Sequence, residues 1–298
     1  MPVVNKTTVK SYFTANAKPT VAEFVDFIDS YTDGFIFTSD PTENDDDTAG
    51  YVIGSLWTNS VSEESFICTN DTTGNAVWKK VTNNYYEFLD TFVAIASTAF
   101  WTITVNGAGA AQSAIAPGTG GNDTGVIGVI QLTTGTTAAG RAGILTSANL
   151  LYFRSGNTYV FNTKIRIPAL STAAAEFGIR VGFIDLITAV ESTDGAYFEY
   201  IRTNSVNWGY TTSSNSTRTK VNSTTAVDLN WVDLKIVVDA TAPSAKFYIN
   251  NVLVGTNTTN IPTASGREFG IGIVIYSTVG VGGKTVHVDK IGVRVGKN

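Results

Sequence analysis

Three carboxylates that lie close in sequence, Glu191, Asp194 and Glu199, are the first place to look for chemistry. Glycoside hydrolysis needs two carboxyls facing one cleft, about 5–9 Å apart. On a strand, residues i and i+2 share a face, so a Glu-x-Asp pair would serve. Here Gly195 breaks the set, and the three read as loop charges facing solvent. His287 is the single histidine, and no Gly-x-Ser-x-Gly elbow accompanies it. It alternates with Val286 and Val288, so it is expected on the outer side of a strand as a polar surface residue. Cys68 is the single cysteine, which excludes an intrachain disulfide and reads as a small buried hydrophobe. One His and one Cys leave zinc without a ligand set. Asp40, Glu43, Asp45, Asp46 and Asp47 offer hard oxygen ligands for calcium. They lack the order of an EF-hand loop, and the reading is a solvated acidic turn. The chain is therefore expected to be no enzyme and to hold no metal or cofactor.

Sugar binding needs an exposed aromatic face beside planar polar groups. Trp208 and Tyr210 flank Gly209 in a polar stretch that runs on to Lys220, and Tyr197, Arg202 and Arg218 can join them. These five are the candidate glycan-binding residues. The competing reading is a strand whose Trp covers a sheet face.

A chain of 298 residues suits two domains, or one large domain with an extension. Charged residues make up only 15%, well below the usual quarter, and Thr, Ser, Asn and Gly fill the gap. That composition favours strands and turns over long helices. The net charge of −5 reads as thinly spread, with no Lys/Arg stripe for nucleic acid and no polybasic segment for a membrane. The N-terminus lacks the apolar run of a signal peptide, and no apolar stretch is long enough to span a bilayer.

Residues 1–34 form an arm and a short helix. Thr20 with Glu23 has capping-box spacing, and Val21, Phe24, Val25, Phe27 and Ile28 follow on more than one face, ending near Gly34. A helix apolar on most sides is normally enclosed by neighbours, so these five residues are the expected oligomer or anchor contacts. Residues 35–82 read as a small β module with strands at 54–59, 64–69 and 76–81. Residues 83–100 read as a linker, and residues 106–124 as a Gly/Ala/Ser-rich loop. From 126 on, apolar residues alternate in segment after segment, as in Tyr159, Phe161, Thr163, Ile165 and Ile167, or Leu234, Ile236 and Val238. Period two over many segments means sheets with one buried face. Phe247–Val254 reads as a hairpin with an Asn-Asn turn. The fold class is mainly β: residues 101–298 should make one large antiparallel jelly-roll sandwich.

Two resemblances follow. The run Tyr12-Phe13-Thr14 through Lys18-Pro19-Thr20, Phe24 and Ile28-Asp29-Ser30 resembles the N-terminal helix of many phage tail-fibre and appendage proteins. Asp40-Pro41, Gly50-Tyr51, Gly54-Ser55-Leu56-Trp57 and Ala76-Val77-Trp78 are similar to a small β module common in the same proteins. This covers roughly the first quarter of the chain. Trp231–Ile236 followed by Phe247–Thr256 resembles the central hairpin of concanavalin-A-like lectin/glucanase sandwiches. Asp194–Tyr200, Thr258–Pro262 and Val288–Ile291 are similar to a C-terminal domain recurrent in phage appendages. The glucanases of that fold carry Glu-x-Asp-x-x-Glu, which this chain lacks. The resemblances imply a virion surface protein that is a homotrimer, held to other virion proteins by its N-terminal region. Its sandwich would recognise host surface polysaccharide; the alternative is a head fibre or capsid decoration protein with no ligand. Neither nucleic acid nor membrane insertion is implied.

Overall fold

The computed structural model describes residues 20, 36–62, 64–81, 85–115, 126, 128–148 and 150–297. The expected helix of Thr20–Ser30, with Val21, Phe24, Val25, Phe27 and Ile28, lies outside the described residues apart from Thr20. The chain divides into two compact units, residues 1–84 and 85–298.

The small unit is a four-stranded sheet of β1 (Ile36–Phe37), β2 (Leu56–Asn59), β3 (Glu64–Asn70) and β4 (Val77–Lys80), in that order. The three longer strands fall on the expected stretches at 54–59, 64–69 and 76–81; the short β1 pairs parallel to β2. Four aromatic rings make its core. Phe37 stacks on Trp57 at 3.6 Å, and Tyr51 and Trp78 close on Trp57 at 5.5 and 5.7 Å. The indole N–H groups need acceptors when buried. Trp57 donates to the Ser39 carbonyl at 2.8 Å and Trp78 to the Asp45 carbonyl at 3.0 Å. The acidic stretch is thereby tied down, and it is not simply solvated. Asp46 is buried and accepts from the Gly74 and Thr48 N–H groups at 2.6 and 2.9 Å. The Gly74 bond is the main reason its carboxyl is held below the ordinary range. Asp45 accepts from Thr42 and Asp47 from Thr73, so the carboxylates are spent on separate donors. Among the described residues no group of three His, Cys, Asp or Glu side chains could hold a metal ion. Cys68 is buried, as expected, and its thiol points at the Asn70 carbonyl.

The strands of the large unit are, in chain order, β5 (Tyr85–Asp90), β6 (Thr102–Asn106), β7 (Ala111–Ala114), β8 (Ile130–Thr133), β9 (Arg141–Leu145), β10 (Asn157–Arg166), β11 (Phe177–Ile184), β12 (Gly195–Ile201), β13 (Asn207–Ser214), β14 (Thr217–Ala226), β15 (Trp231–Asp239), β16 (Ser244–Ile249), β17 (Val252–Asn257), β18 (Gly270–Ser277) and β19 (Thr285–Lys297). One sheet runs β17-β16-β15-β10-β19-β8-β7, with β5 also on β19; the other runs β14-β13-β12-β11-β18-β9-β6. Among the described residues every pairing between these strands is antiparallel, which makes a two-sheet sandwich. Two sequence expectations need correction here. Residues 83–100 are not a plain linker, because Tyr85–Asp90 pairs with β19, and Trp101 donates to the Asp90 carboxylate at 2.8 Å. Residues 106–124 are not all loop, because Ala111–Ala114 is the edge strand beside β8.

The inner faces meet through fully buried rings. Phe153 packs on Phe269 at 4.4 Å, Phe161 on Phe183 at 5.8 Å and Phe198 on Phe247 at 5.4 Å. Burying each such side chain contributes about 1.5–3 kcal/mol. The β16–β17 hairpin turns on Asn250 and Asn251 at φ 49° and 65°, the left-handed pair that suits strand twist.

Candidate functional site

The five sequence candidates separate. Trp208 and Tyr210 share the inner face of β13 and are 2% and 6% exposed. Trp208 meets Phe198 at 6.4 Å and Tyr200 at 6.1 Å, and Tyr210 stacks on Phe247 at 4.9 Å. Neither offers an open ring face, because alternation on β13 turns both toward the opposing sheet. Arg202 lies beyond the end of β12, half-buried. Tyr197 and Arg218 point the other way, to the outer face of the seven-stranded sheet.

That outer face holds a charged network that the sequence did not assemble. Arg180 on β11 donates to Glu199 at 2.7 Å and to the Tyr276 hydroxyl at 2.7 Å. It also donates to the carbonyls of Ala189 at 3.2 Å and Val190 at 2.9 Å, in the segment between β11 and β12. Lys220 bridges Glu191 and Glu199, and Arg218 pairs with Glu191 at 3.2 Å. Asp194 accepts from the Asn215 N–H at 2.8 Å and faces Arg267 at 3.7 Å. Glu199 and Asp194 are therefore buried structural charges, not solvent-facing loop charges; desolvating them is tolerated because each has a cation or N–H opposite. Burial, then the Glu199 charge, pushes the Tyr197 phenol up to about 12, and burial pushes Tyr276 up as well. Burial, helped by Arg180, pushes Lys220 down. With Arg180, Tyr197, Tyr276 and Glu199 all nearly inaccessible, the cluster clamps the segment 185–194 onto the sheet.

A second place is open. At one end of the sandwich a cavity of ≈ 130 Å³ is lined by Trp208, Thr225, Asp228, Asn230, Trp231 and Asn250, among others. Trp231 opens β15 and is half-buried, and its Nε1 is covered with no hydrogen-bond partner. The Asp228 carboxylate orients Asn230 through bonds of 2.9 and 3.0 Å, and the Asn250 side-chain oxygen Oδ1 accepts from the Asp233 N–H at 3.0 Å. The Asn250 amide N–H₂ and the remaining Asp228 lone pairs are left for a ligand. An indole ring beside a carboxylate, two amides and a hydroxyl is chemistry that receives one sugar unit. Trp208 lines this cavity despite its core position. Trp231, Asp228 and Asn230 were missed as a site; the signal was a turn dense in Asp and Asn directly before an indole.

Trp231 also leads onto the outer face of the eight-stranded sheet. Its ring lies 6.5 Å from His287, which is 5% exposed and so not the surface residue expected. Burial, then the Arg166 charge, pushes the imidazole down to about 4, which keeps it neutral.

Residues 125–289, more than half of the chain, match the family model described as SO2946-like, C-terminal domain. The crystal structure of a protein of unknown function, SO2946 from Shewanella oneidensis MR-1, aligns with a TM-score of 0.52 at 13% identity, over 74% of this chain and 90% of that one. Two weaker likenesses are the endo-β-1,4-glucuronan lyase of the fungus Trichoderma reesei, at TM-score 0.45, 12% identity and 73% and 96% coverage, and the Emp46p carbohydrate recognition domain, at 0.46, 8% and 68% and 94%. No curated protein sequence matches this chain. At such identities the first likeness is one of fold.

Proposed function

The chain belongs to the SO2946-like C-terminal domain family, and for its sandwich we propose a sugar-binding role without turnover, carried on the surface of a phage-type particle. The observation that carries the binding role is the end cavity, where Trp231 meets Asp228, Asn230 and Asn250. The non-enzymatic part is supported by the engagement of Glu191 and Glu199 with Lys220, Arg218 and Arg180. A general acid or base must be within reach of substrate, and these carboxylates face their own cations. The particle location is supported by the resemblance of the first quarter of the chain to phage appendage proteins. In this reading residues 1–34 join copies of the chain, as a trimer, and dock them on other virion proteins.

The test is a glycan array with the full chain. Specific binding is expected, weakened at least tenfold by Trp231→Ala and by Asp228→Ala, with the thermal transition kept. Glycan binding that survives both substitutions overturns the cavity as the site. No binding to any glycan overturns the sugar-binding role and leaves a purely structural head-fibre or decoration protein. New reducing ends, abolished by Glu199→Gln, overturn the non-enzymatic part.

A further inference from the structure

Charge in this chain is not thinly spread. Residues 1–84 carry five Lys and Arg against twelve Asp and Glu, while residues 85–298 carry fifteen against thirteen. Six of those fifteen cations stand on one surface, the outer face of the eight-stranded sheet. Alternation fixes this: on β10 the residues between Phe161, Thr163, Ile165 and Ile167 are Asn162, Lys164 and Arg166, and they point away from the core. The register then lays Asp233 and Lys290 on either side of Lys164, Trp231 and His287 on either side of Arg166, and Tyr248 beside Lys235. Lys246 on β16 and Arg294 on β19 complete the set. Asp233, Asp239 and Glu87 are the carboxylates placed among them by the same alternation.

The face is cationic beyond what its three carboxylates offset. Lys164 and Lys290 are direct cross-strand partners, and the Asp233 carboxylate is shared between them, opposite Lys164 and 3.7 Å from the Lys290 ammonium. Three cations also lie over aromatic rings: Lys235 is 4.5 Å from the Tyr248 centroid, Arg294 is 5.3 Å from Tyr85 and Lys164 is 5.9 Å from Trp231. Rings hold the cations in place at partial exposure, a pre-set arrangement of positive charge across four neighbouring strands. At the usual strand spacing it is about 15 Å wide. At Trp231 it meets the end cavity.

We infer that this face binds an acidic polysaccharide, a polymer bearing carboxylate or sulfate groups along a hydroxyl-rich chain, with one sugar unit seated against Trp231. The inference rests on the reading of the cavity as a sugar site. Charge complementarity selects an anionic polymer. Hydroxyl donors favour a sugar chain over a nucleic acid. Sugar hydroxyls can donate to the Asp228 and Asp233 carboxylates, whereas the phosphodiester backbone of DNA carries no donor to offer them.

The experiment uses the full chain and three probes: polygalacturonate, a neutral dextran and a single-stranded oligothymidylate, each at 50 and 200 mM NaCl. Polygalacturonate is expected to bind tightest and to weaken severalfold at the higher salt, as exposed charge pairs are screened. The triple variant Lys235→Gln, Lys246→Gln, Lys290→Gln should lose about tenfold or more of that binding and leave any glycan-array ligand that is uncharged unaffected. Unchanged polygalacturonate binding in this variant, or none in the parent, overturns the inference; if an uncharged glycan is still bound and lost in Trp231→Ala, the cavity reading stands alone. Loss in the triple variant with Trp231→Ala unchanged supports the basic face and removes the cavity from it. Tighter binding of the oligothymidylate than of polygalacturonate overturns the sugar as occupant.

Discussion

Arg180 is the side chain whose loss should be felt most. It is 2% exposed and makes an ion pair at 2.7 Å with Glu199, bonds to the Ala189 and Val190 carbonyls and a bond to the Tyr276 hydroxyl. Arg180→Met keeps much of the volume and removes the charge. Glu199 then keeps only Lys220, at 3.6 Å and with an ammonium that burial already disfavours. Breaking one partner out of a buried pair costs about 3–5 kcal/mol. With a urea dependence of about 2–3 kcal/mol/M, the midpoint should fall by about 1–2.5 M. The double variant Arg180→Met, Glu199→Gln leaves no orphaned carboxylate and should recover at least half of that loss, since residues in contact are not additive. Urea unfolding followed by tryptophan fluorescence and by circular dichroism reads both. A shift below about 0.3 M in Arg180→Met, or a double variant as unstable as the sum of the two singles, refutes the clamp.

Two further outcomes follow from the same geometry, beside those for the cavity and the basic face. His287 is pushed down to about 4 from 6.5, so between these values the unfolded chain binds the extra proton and stability falls as the pH falls. The loss should reach about 3 kcal/mol by pH 4, and His287→Gln should abolish that part of the slope in urea midpoints measured from pH 7 to 4. Residues 85–298 alone should sediment as a folded monomer and the full chain as a trimer; a monomeric full chain would mean that the N-terminal region docks on another protein.

The sandwich was legible because its strands each bury one side. On β10 and β15 the alternation is nearly complete, and the Asn250-Asn251 turn announces its own hairpin. The alternation of Phe177, Ile179, Val181 and Phe183, and of Phe269, Ile271, Ile273 and Ile275, marks β11 and β18 as strands too; what it hides is that their second face is also buried. Every residue of β11 and β18 is buried, since the segment 185–194 and the Arg180 cluster cover their outer face. Glycine marks this indirectly: a side chain at Gly178 would come within 2.3 Å of the Tyr276 ring, and one at Gly182 within 2.6 Å of the Ala196 carbonyl. The short edge strand β7 pairs with the next strand, β8, and β5 pairs with β19 at the other end of the unit; local pattern does not name a partner.

The site was less legible for a reason of the same kind. Searching for sugar contacts by aromatic density found Trp208 and Tyr210, which alternation sends into the core, because a strand of mixed Tyr, Thr and Ser looks the same from either face. Lys164, Lys235, Lys246 and Lys290 stand singly or beside one other cation among Val, Ile, Phe and Asp, with no run to notice. Each strand's period says only that its lysine points outward. They become one surface through the order β16-β15-β10-β19, which brings residues 164 and 290 opposite each other across more than a hundred positions of chain. The charge pattern therefore belongs to the topology: six cations from four strands share one face with three carboxylates, and Asp233 serves both Lys164 and Lys290.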